Sequence, residues 1–269
     1  MTRLLDDFER SAPPADLYRL VAYPLPTMVI GDLLGVPARD RAQLLASMNA
    51  LADGADAERS MRGATELFSY FLTSATRCES GENMLSDLRA QDGVDDLYVA
   101  KLASYLLFAG QWATAMEIAA GVSTLLANPR LWQALVDDPA VAPRVVEETL
   151  RAPEGITNVL TLPRYARADM AVDGTDIATG DLVLFDLGAA NRDPAVFPAD
   201  HVDLTRASIP PHLRFGAGKY YCVGAPIARV VLQSLYIQLA TRFPRLRLVE
   251  AVDHATLARG DAVTLSVAW

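Results

Sequence analysis

Cys222 is the residue whose neighbours offer the most chemistry. It lies in the run Phe215-Gly216-Ala217-Gly218-Lys219-Tyr220-Tyr221-Cys222-Val223-Gly224-Ala225-Pro226-Ile227-Ala228-Arg229. Gly216 and Gly218 let the backbone turn where a side chain would clash. Ala225 to Arg242 has the spacing of an amphipathic helix, so Cys222 arrives at a helix N-terminus, where unpaired N–H groups and the helix dipole favour an anion. A thiolate placed there is a metal ligand, and Gly224 would let the backbone approach a flat cofactor closely. A buried, inert cysteine beside a turn is the plainer reading of a lone Cys. The joint spacing of Phe215, both glycines, Cys222, Gly224 and Arg229 argues against it.

The elements that must carry this loop read as mostly helical. Leu17 to Val36 has mixed helical periodicity interrupted by Pro24 and Pro26, and it stops at Gly35-Val36-Pro37. Asp40 to Leu51 and Ala64 to Thr76 place apolar residues three and four apart, as amphipathic helices do. Leu97 to Leu126 is the longest helical stretch. It is apolar on nearly every face, through Tyr105, Phe108, Met116, Ile118 and Val122, which predicts a helix buried through the centre of the protein. Leu131 to Val136 and Val141 to Arg151 predict two more helices, with Pro139 and Pro143 at their starts. Beyond Pro153 the pattern changes. Met170 to Ile177 predicts a hairpin around Asp173-Gly174, Leu182 to Phe185 a short strand, and Val263 to Val267 a last one. A long loop from Asn191 to Gly218 precedes the cysteine.

Composition limits the function classes. The chain has 269 residues, 51% hydrophobic and 21% charged, which suits a globular protein with a sizeable core. A net charge of −9 argues against a nucleic-acid-binding surface. Cys78 and Cys222, far apart, make no disulfide framework, so a reducing, cytoplasmic setting is expected. The N-terminus lacks the pattern of a signal peptide, and no apolar run is long enough to span a bilayer.

The Cys222 segment resembles the haem-binding signature of the cytochromes P450, especially the bacterial soluble kind. Glu148-Thr149-Leu150-Arg151 resembles the family's Glu-x-x-Arg motif, whose ion pair supports the proximal face. Ala189 to Pro194 and Val196 to Pro198 resemble the stretch between that motif and the loop. Pro24 to Pro26 and Leu33 to Pro37 resemble the helix before the distal roof. The resemblance implies a mainly α fold with a minor β part, as one domain over 1–269. Its parts are helical 1–152, mixed β and loop 153–214, ligand loop and last helix 215–243, and a β tail 244–269. It further implies haem b bound through the Cys222 thiolate, with Phe215, Gly216, Gly218 and Gly224 around it. Ala109 and Gly110 would open space beside the iron, and Arg164 and His212 would hold the propionates. Asn158, Val159 and Leu160 would face the substrate.

Four departures from the family pattern bear on function. The chain is short at its front, so the N-terminal β region and first helices of the fold are expected to be missing. The acid and alcohol that relay protons in the family are replaced: Gln111, Trp112 and Ala113 follow Gly110, and Thr114 stands one step on, about 100° round the helix. An indole has only a donor and Ala has neither donor nor acceptor, so the usual general-acid role has no group to fill it. Tyr220 stands where a His is common. His201 falls where a structural Arg is expected, leaving Glu148 and Arg151 without their third member. With His201, His212 and His254 the only histidines, no separate metal cluster is predicted.

Two functions follow. The first is a haem-thiolate enzyme tailoring a small organic molecule in secondary metabolism, by monooxygenation or by an atypical peroxide-driven or non-oxygenating reaction. Its partners would be a ferredoxin-type electron donor and, in a homodimer, a second copy. The second is a haem-free helper that stabilises a partner enzyme such as a glycosyltransferase.

Overall fold

The structure is a computed structural model and describes residues 1–77, 83–152, 163–198, 202–204, 210–250 and 263–269. Helix accounts for 62% of it and strand for 7%, so the mainly α class with a minor β part holds. Two compact units divide it, Met1–Ala119 and Ala120–Trp269.

The first unit comprises α1 (Thr2–Arg10), the short strand β1 (Ala15–Asp16), a π turn (Tyr18–Ala22), α2 (Pro24–Leu33), α3 (Arg41–Leu51), α4 (Ala57–Arg77), α5 (Met84–Arg89) and the front of α6 (Asp96–Ala127). Pro24 and Pro26 do not interrupt a helix as expected; they open α2, where the first-turn N–H groups have no intrahelical partner to lose. The end of α2 is set by Gly35 at φ +72°. Val36 N donates to Gly31 O at 2.7 Å and Gly35 N to Asp32 O at 3.1 Å, the paired bonds of a Schellman stop. The core joins Leu34, Leu44, Met48, Leu67, Phe71, Leu85 and, from α6, Val99, Ala103 and Leu107.

The expectation that α6 is buried on nearly every face fails for its front half. Tyr98, Tyr105 and Phe108 are 55%, 64% and 41% exposed. They stand seven and three residues apart, on one stripe of the helix, while Val99, Ala103 and Leu107 take the core side. An all-round apolar sequence does not say which stripes find partners.

The second unit holds the rear of α6, α7 (Pro129–Asp137), α8 (Ala142–Arg151), the one-turn α9 (Leu187–Ala190) and α10 (Ala225–Arg242). α7 and α8 both pack on α10. Leu135, Val145, Val146, Leu232, Leu235, Tyr236 and Leu239 are buried in them. Gly121 lets the fully buried Tyr236 ring come close: a Cβ at 121 would stand 1.7 Å from its hydroxyl. Three antiparallel strand pairs or their parts complete the unit. β2 (Arg164–Tyr165) pairs with β5 (Leu182–Val183). β3 (Met170–Val172) and β4 (Thr175–Ile177) form the expected hairpin. Asp173 at φ +48° and Gly174 at φ +78° make its turn, the two left-handed residues of a type I′ connection. β6 (Arg247–Leu248) pairs with β7 (Ser266–Ala268). Among the described residues no helix is long and apolar enough to cross a membrane.

Candidate cofactor-binding loop

The loop before α10 is shaped by its own backbone. Gly216 N donates to Leu213 O, and Cys222 N donates back to Phe215 O, each at 2.9 Å. Between them Gly216 and Gly218 take φ +72° and +67°. Those are conformations that an L side chain rarely adopts. A single 3-10 turn over Gly218–Tyr220 leads to the cysteine. α10 begins three residues later, with Ala225 N on Cys222 O at 3.3 Å. The Cys222 thiol is free and exposed. Tyr220 and Val223 beside it are 81% and 80% exposed. Gly224 has an ordinary φ of −81°. A Cβ there would touch only the Cys222 sulfur, at 3.7 Å. Backbone strain does not demand glycine at 224; its small size leaves the surface beside the sulfur open.

Behind the loop, α8 supplies a buried ion pair. Arg151 Nε donates to Glu148 Oε1 at 3.0 Å and Nη2 to Oε2 at 2.9 Å. Both side chains are 0% exposed. Two buried charges persist only when their remaining donors and acceptors are also satisfied. Arg151 Nη1 donates to Asn191 O at 2.9 Å, and Glu148 Oε2 accepts from Asp203 N at 2.8 Å. The Phe197 ring covers the guanidinium at 4.9 Å. Backbone groups thus bond to both members of the pair; His201, expected where the family has a structural Arg, lies outside the described residues. Asn191 does a second job: its Oδ1 accepts from Leu213 N at 2.7 Å, at the start of the loop.

A second carboxylate, Glu147, turns toward α10. Arg229 grips it with two nitrogens, Nε to Oε1 at 2.6 Å and Nη2 to Oε2 at 3.1 Å. Arg229 Nη1 donates to the Tyr221 hydroxyl at 3.0 Å. Its guanidinium also lies 4.7 Å from the Phe215 ring centre. Burial pushes the Glu147 carboxyl up, but His212 and Arg229 outweigh it and hold the carboxyl at about 2. The bonds from Glu147 raise the Arg229 guanidinium, burial opposes them, and Tyr221 adds to the rise.

His212, expected to hold a propionate, is 7% exposed. Its Nδ1 accepts from Arg214 N at 3.1 Å. Its Nε2 stands 3.4 Å from Glu147 Oε2, a long contact that does not meet hydrogen-bond geometry. Arg164 is exposed on β2, its Nη1 on Pro163 O at 3.0 Å. The residues expected on the distal side lie on α6 in the first unit, while the loop lies in the second. Ala109 is exposed. Gly110 meets Ile30, whose Cδ1 would be 2.5 Å from a Cβ at 110. Gln111 is 3% exposed, its amide donating to Tyr23 O at 3.2 Å. Trp112, Ala113 and Thr114 are half-buried. Asn158, Val159 and Leu160 lie outside the described residues.

Sequence reasoning missed Glu147, Tyr221 and Asn191. The adjacent pair Glu147-Glu148 was the available signal: neighbours on a helix point about 100° apart, so only one of them can meet Arg151.

A family model described as cytochrome P450 matches residues 139–253, which hold α8, the loop and α10. Cytochrome P450 105C1 of Streptomyces sp is 40% identical over 98% of the chain and 71% of its own length. The chain belongs to the cytochrome P450 family. Pentalenolactone synthase of Streptomyces exfoliatus is 39% identical over 91% of this P450 chain and 63% of its own length. The mycinamicin IV hydroxylase/epoxidase of Micromonospora griseorubida is 37% identical over 91% and 64%. The P450 chain thus spans about two thirds of these relatives. In solved structures it superposes on the mixed-function P450 MycG with a TM-score of 0.89 and 34% identity, covering 100% of itself and 71% of that chain. P450 MoxA of Nonomuraea recticatena gives a TM-score of 0.86 at 30% identity, with 69% of that chain covered. Membership implies haem as the cofactor.

Proposed function

We propose that this P450 chain is a haem-thiolate enzyme that tailors a small organic molecule, with Cys222 as the residue whose thiolate would hold the haem iron. The observation that carries this reading is an exposed thiol at the foot of α10, on a loop bonded to α8 through Asn191 and Arg151 and through Arg229 and Glu147. A structural cysteine would not need its loop fixed on both sides. The donor set fits the group: a Cβ at Gly218 would meet nothing within 4 Å, and one at Gly216 only a carbonyl at 3.8 Å, so a flat macrocycle has room to approach.

Haem held by a thiolate supplies oxygen activation, because the sulfur pushes electron density through the iron. The chain's own residues divide the remaining work. Phe215, Gly216, Gly218 and Gly224 shape the surface against the ring. Arg164 offers its guanidinium to a propionate, while His212 is turned to Glu147 in this structure. Asn158, Val159 and Leu160 contact the substrate. Gln111 packs α6 against Tyr23, and Trp112 and Ala113 offer no group that can pass a proton on. Protons therefore come from water, or the reaction runs on peroxide or without oxygen insertion. A ferredoxin-type protein supplies electrons in the first case, and the setting is cytoplasmic. The names of the relatives, a pentalenolactone synthase and a mycinamicin IV hydroxylase/epoxidase, support a tailoring role.

The test is the reduced, carbon-monoxide-bound spectrum of the protein purified from haem-replete cells, with Cys222→Ala as control. A thiolate-type band in the wild type that is lost in the variant is expected. Failure to retain haem even after reconstitution overturns the reading and leaves the haem-free helper in its place.

A further inference from the structure

We infer that Tyr221 is a positioning residue for Cys222, acting through Arg229 and Glu147; this rests on the haem-thiolate reading above. Little else fixes the tip of the loop. Nothing stands within 4 Å of a Cβ at Gly218. Tyr220 is 81% exposed and Tyr221 46%, so packing does not hold this stretch. Beyond its backbone bonds, Tyr221 N to Gly218 O at 3.1 Å and Cys222 N to Phe215 O at 2.9 Å, what holds it is one guanidinium. Arg229 spends Nε and Nη2 on Glu147, which fixes the plane of the fork against α8. A planar fork so fixed sets the N–H directions of Nη1 in the same plane, and one of them ends on the Tyr221 hydroxyl at 3.0 Å.

The same guanidinium lies over Phe215, and the Phe215 ring meets Tyr221 edge-on at 6.3 Å. Phe215 O in turn accepts the Cys222 N–H at 2.9 Å. Both sides of the turn, 215 and 221, are therefore referred to one point on α10, and that point is referred to α8. Cys222 is the next residue after Tyr221, so where its Cα sits follows from where the tyrosine is held. Tyr221 itself does not reach the metal site; it fixes the direction from which the sulfur approaches.

Two substitutions isolate the bond. Tyr221→Phe removes only the hydroxyl and keeps the ring against Phe215. Arg229→Lys keeps a charge for Glu147 but loses the fork, and so the third contact. Amide hydrogen exchange is measured on the full-length chain as purified, and haem loss to an apoprotein acceptor is measured on the haem-loaded chain. Both variants should exchange the amides of 216–222 roughly threefold to tenfold faster, as a partly exposed charge-assisted bond allows. The middle of α8 and α10 should be unchanged. The loaded variants should lose haem faster and show more of the thiol-type carbon monoxide spectrum. The double variant should be no worse than the worse single one, because both remove the same bond. Unchanged exchange and unchanged haem loss in Tyr221→Phe overturn the proposal. Faster exchange in a chain that takes up no haem supports the positioning role and overturns the haem-thiolate reading.

Discussion

The loop before α10 and the middle of α6 are held in place in different ways. Around Cys222 the backbone is tied at three points, Leu213 N to Asn191 Oδ1, Tyr221 N to Gly218 O and Cys222 N to Phe215 O, and Arg229 adds a bond to the Tyr221 hydroxyl. At 111–114 the buried polar side chain, Gln111, is committed to the backbone carbonyl of Tyr23, and the half-buried Trp112 and Ala113 carry neither acid nor alcohol. The contrast teaches that the course of a loop and the side-chain chemistry of a helix are separable. The first is held by hydrogen bonds spread over α8, α9 and α10, so that no one substitution can drift without cost. The second depends on one or two side chains, which can be exchanged for volume-filling ones while the helix stays intact.

The comparison can be broken most severely at the buried pair. Glu148→Ala leaves Arg151 charged and buried without its carboxylate, and the loss should be about 3–5 kcal/mol of unfolding free energy, read from denaturant midpoints. A loss below about 1 kcal/mol would mean that water or a neighbouring carbonyl replaces the pair. A smaller effect comes from Glu147. Its carboxyl ordinarily titrates at 4.5 and is held at about 2 in the folded chain, so the unfolded chain takes up the proton first. The stability this supplies is complete above pH 4.5 and is lost as the pH falls toward 2. After allowance for partial exposure it is on the order of 1–3 kcal/mol. Acid unfolding of Glu147→Gln should lack that component; the same acid slope in the variant would assign it to other carboxylates. The smallest effect sharpens the α6 side. Trp112→Glu with Ala113→Thr supplies an acid and an alcohol, and oxygen-dependent turnover should rise about tenfold, less than the hundredfold or more of fully placed general-acid catalysis. An unchanged rate would show that protons are not limiting.

Much of this was legible in the residues, for physical reasons that differ from place to place. α10 was readable to the residue, because Gly224-Ala225-Pro226 opens it and Phe243-Pro244 closes it. The β3–β4 hairpin was readable because Asp-Gly is the turn chemistry that two left-handed residues require. The first half of α6 was misread: apolar residues all round a helix give no preferred side, and Tyr105 and Phe108 turned out exposed. The opening of α2 was misread because proline breaks a helix inside and starts one at its end, and only the neighbours decide which. At the site, Cys222 was singled out by type and spacing, and Glu148 and Arg151 by their resemblance to the family's Glu-x-x-Arg motif. Asn191 and the Asp203 N–H were not. Their contribution is a backbone group brought from 40 to 55 residues away, and no side-chain pattern announces that.

Asn191 has a consequence for the order in which the protein assembles. Its carbonyl meets Arg151 across 40 residues and its side chain meets Leu213 across 22. Contacts between residues so far apart must first meet the entropy of closing those loops, so they form late. α8 and α10 can take shape early from local sequence, but the start of the ligand loop at Leu213 is tied to α8 only when Asn191 joins both. The loop that carries Cys222 is therefore expected among the last parts of the second unit to reach its place.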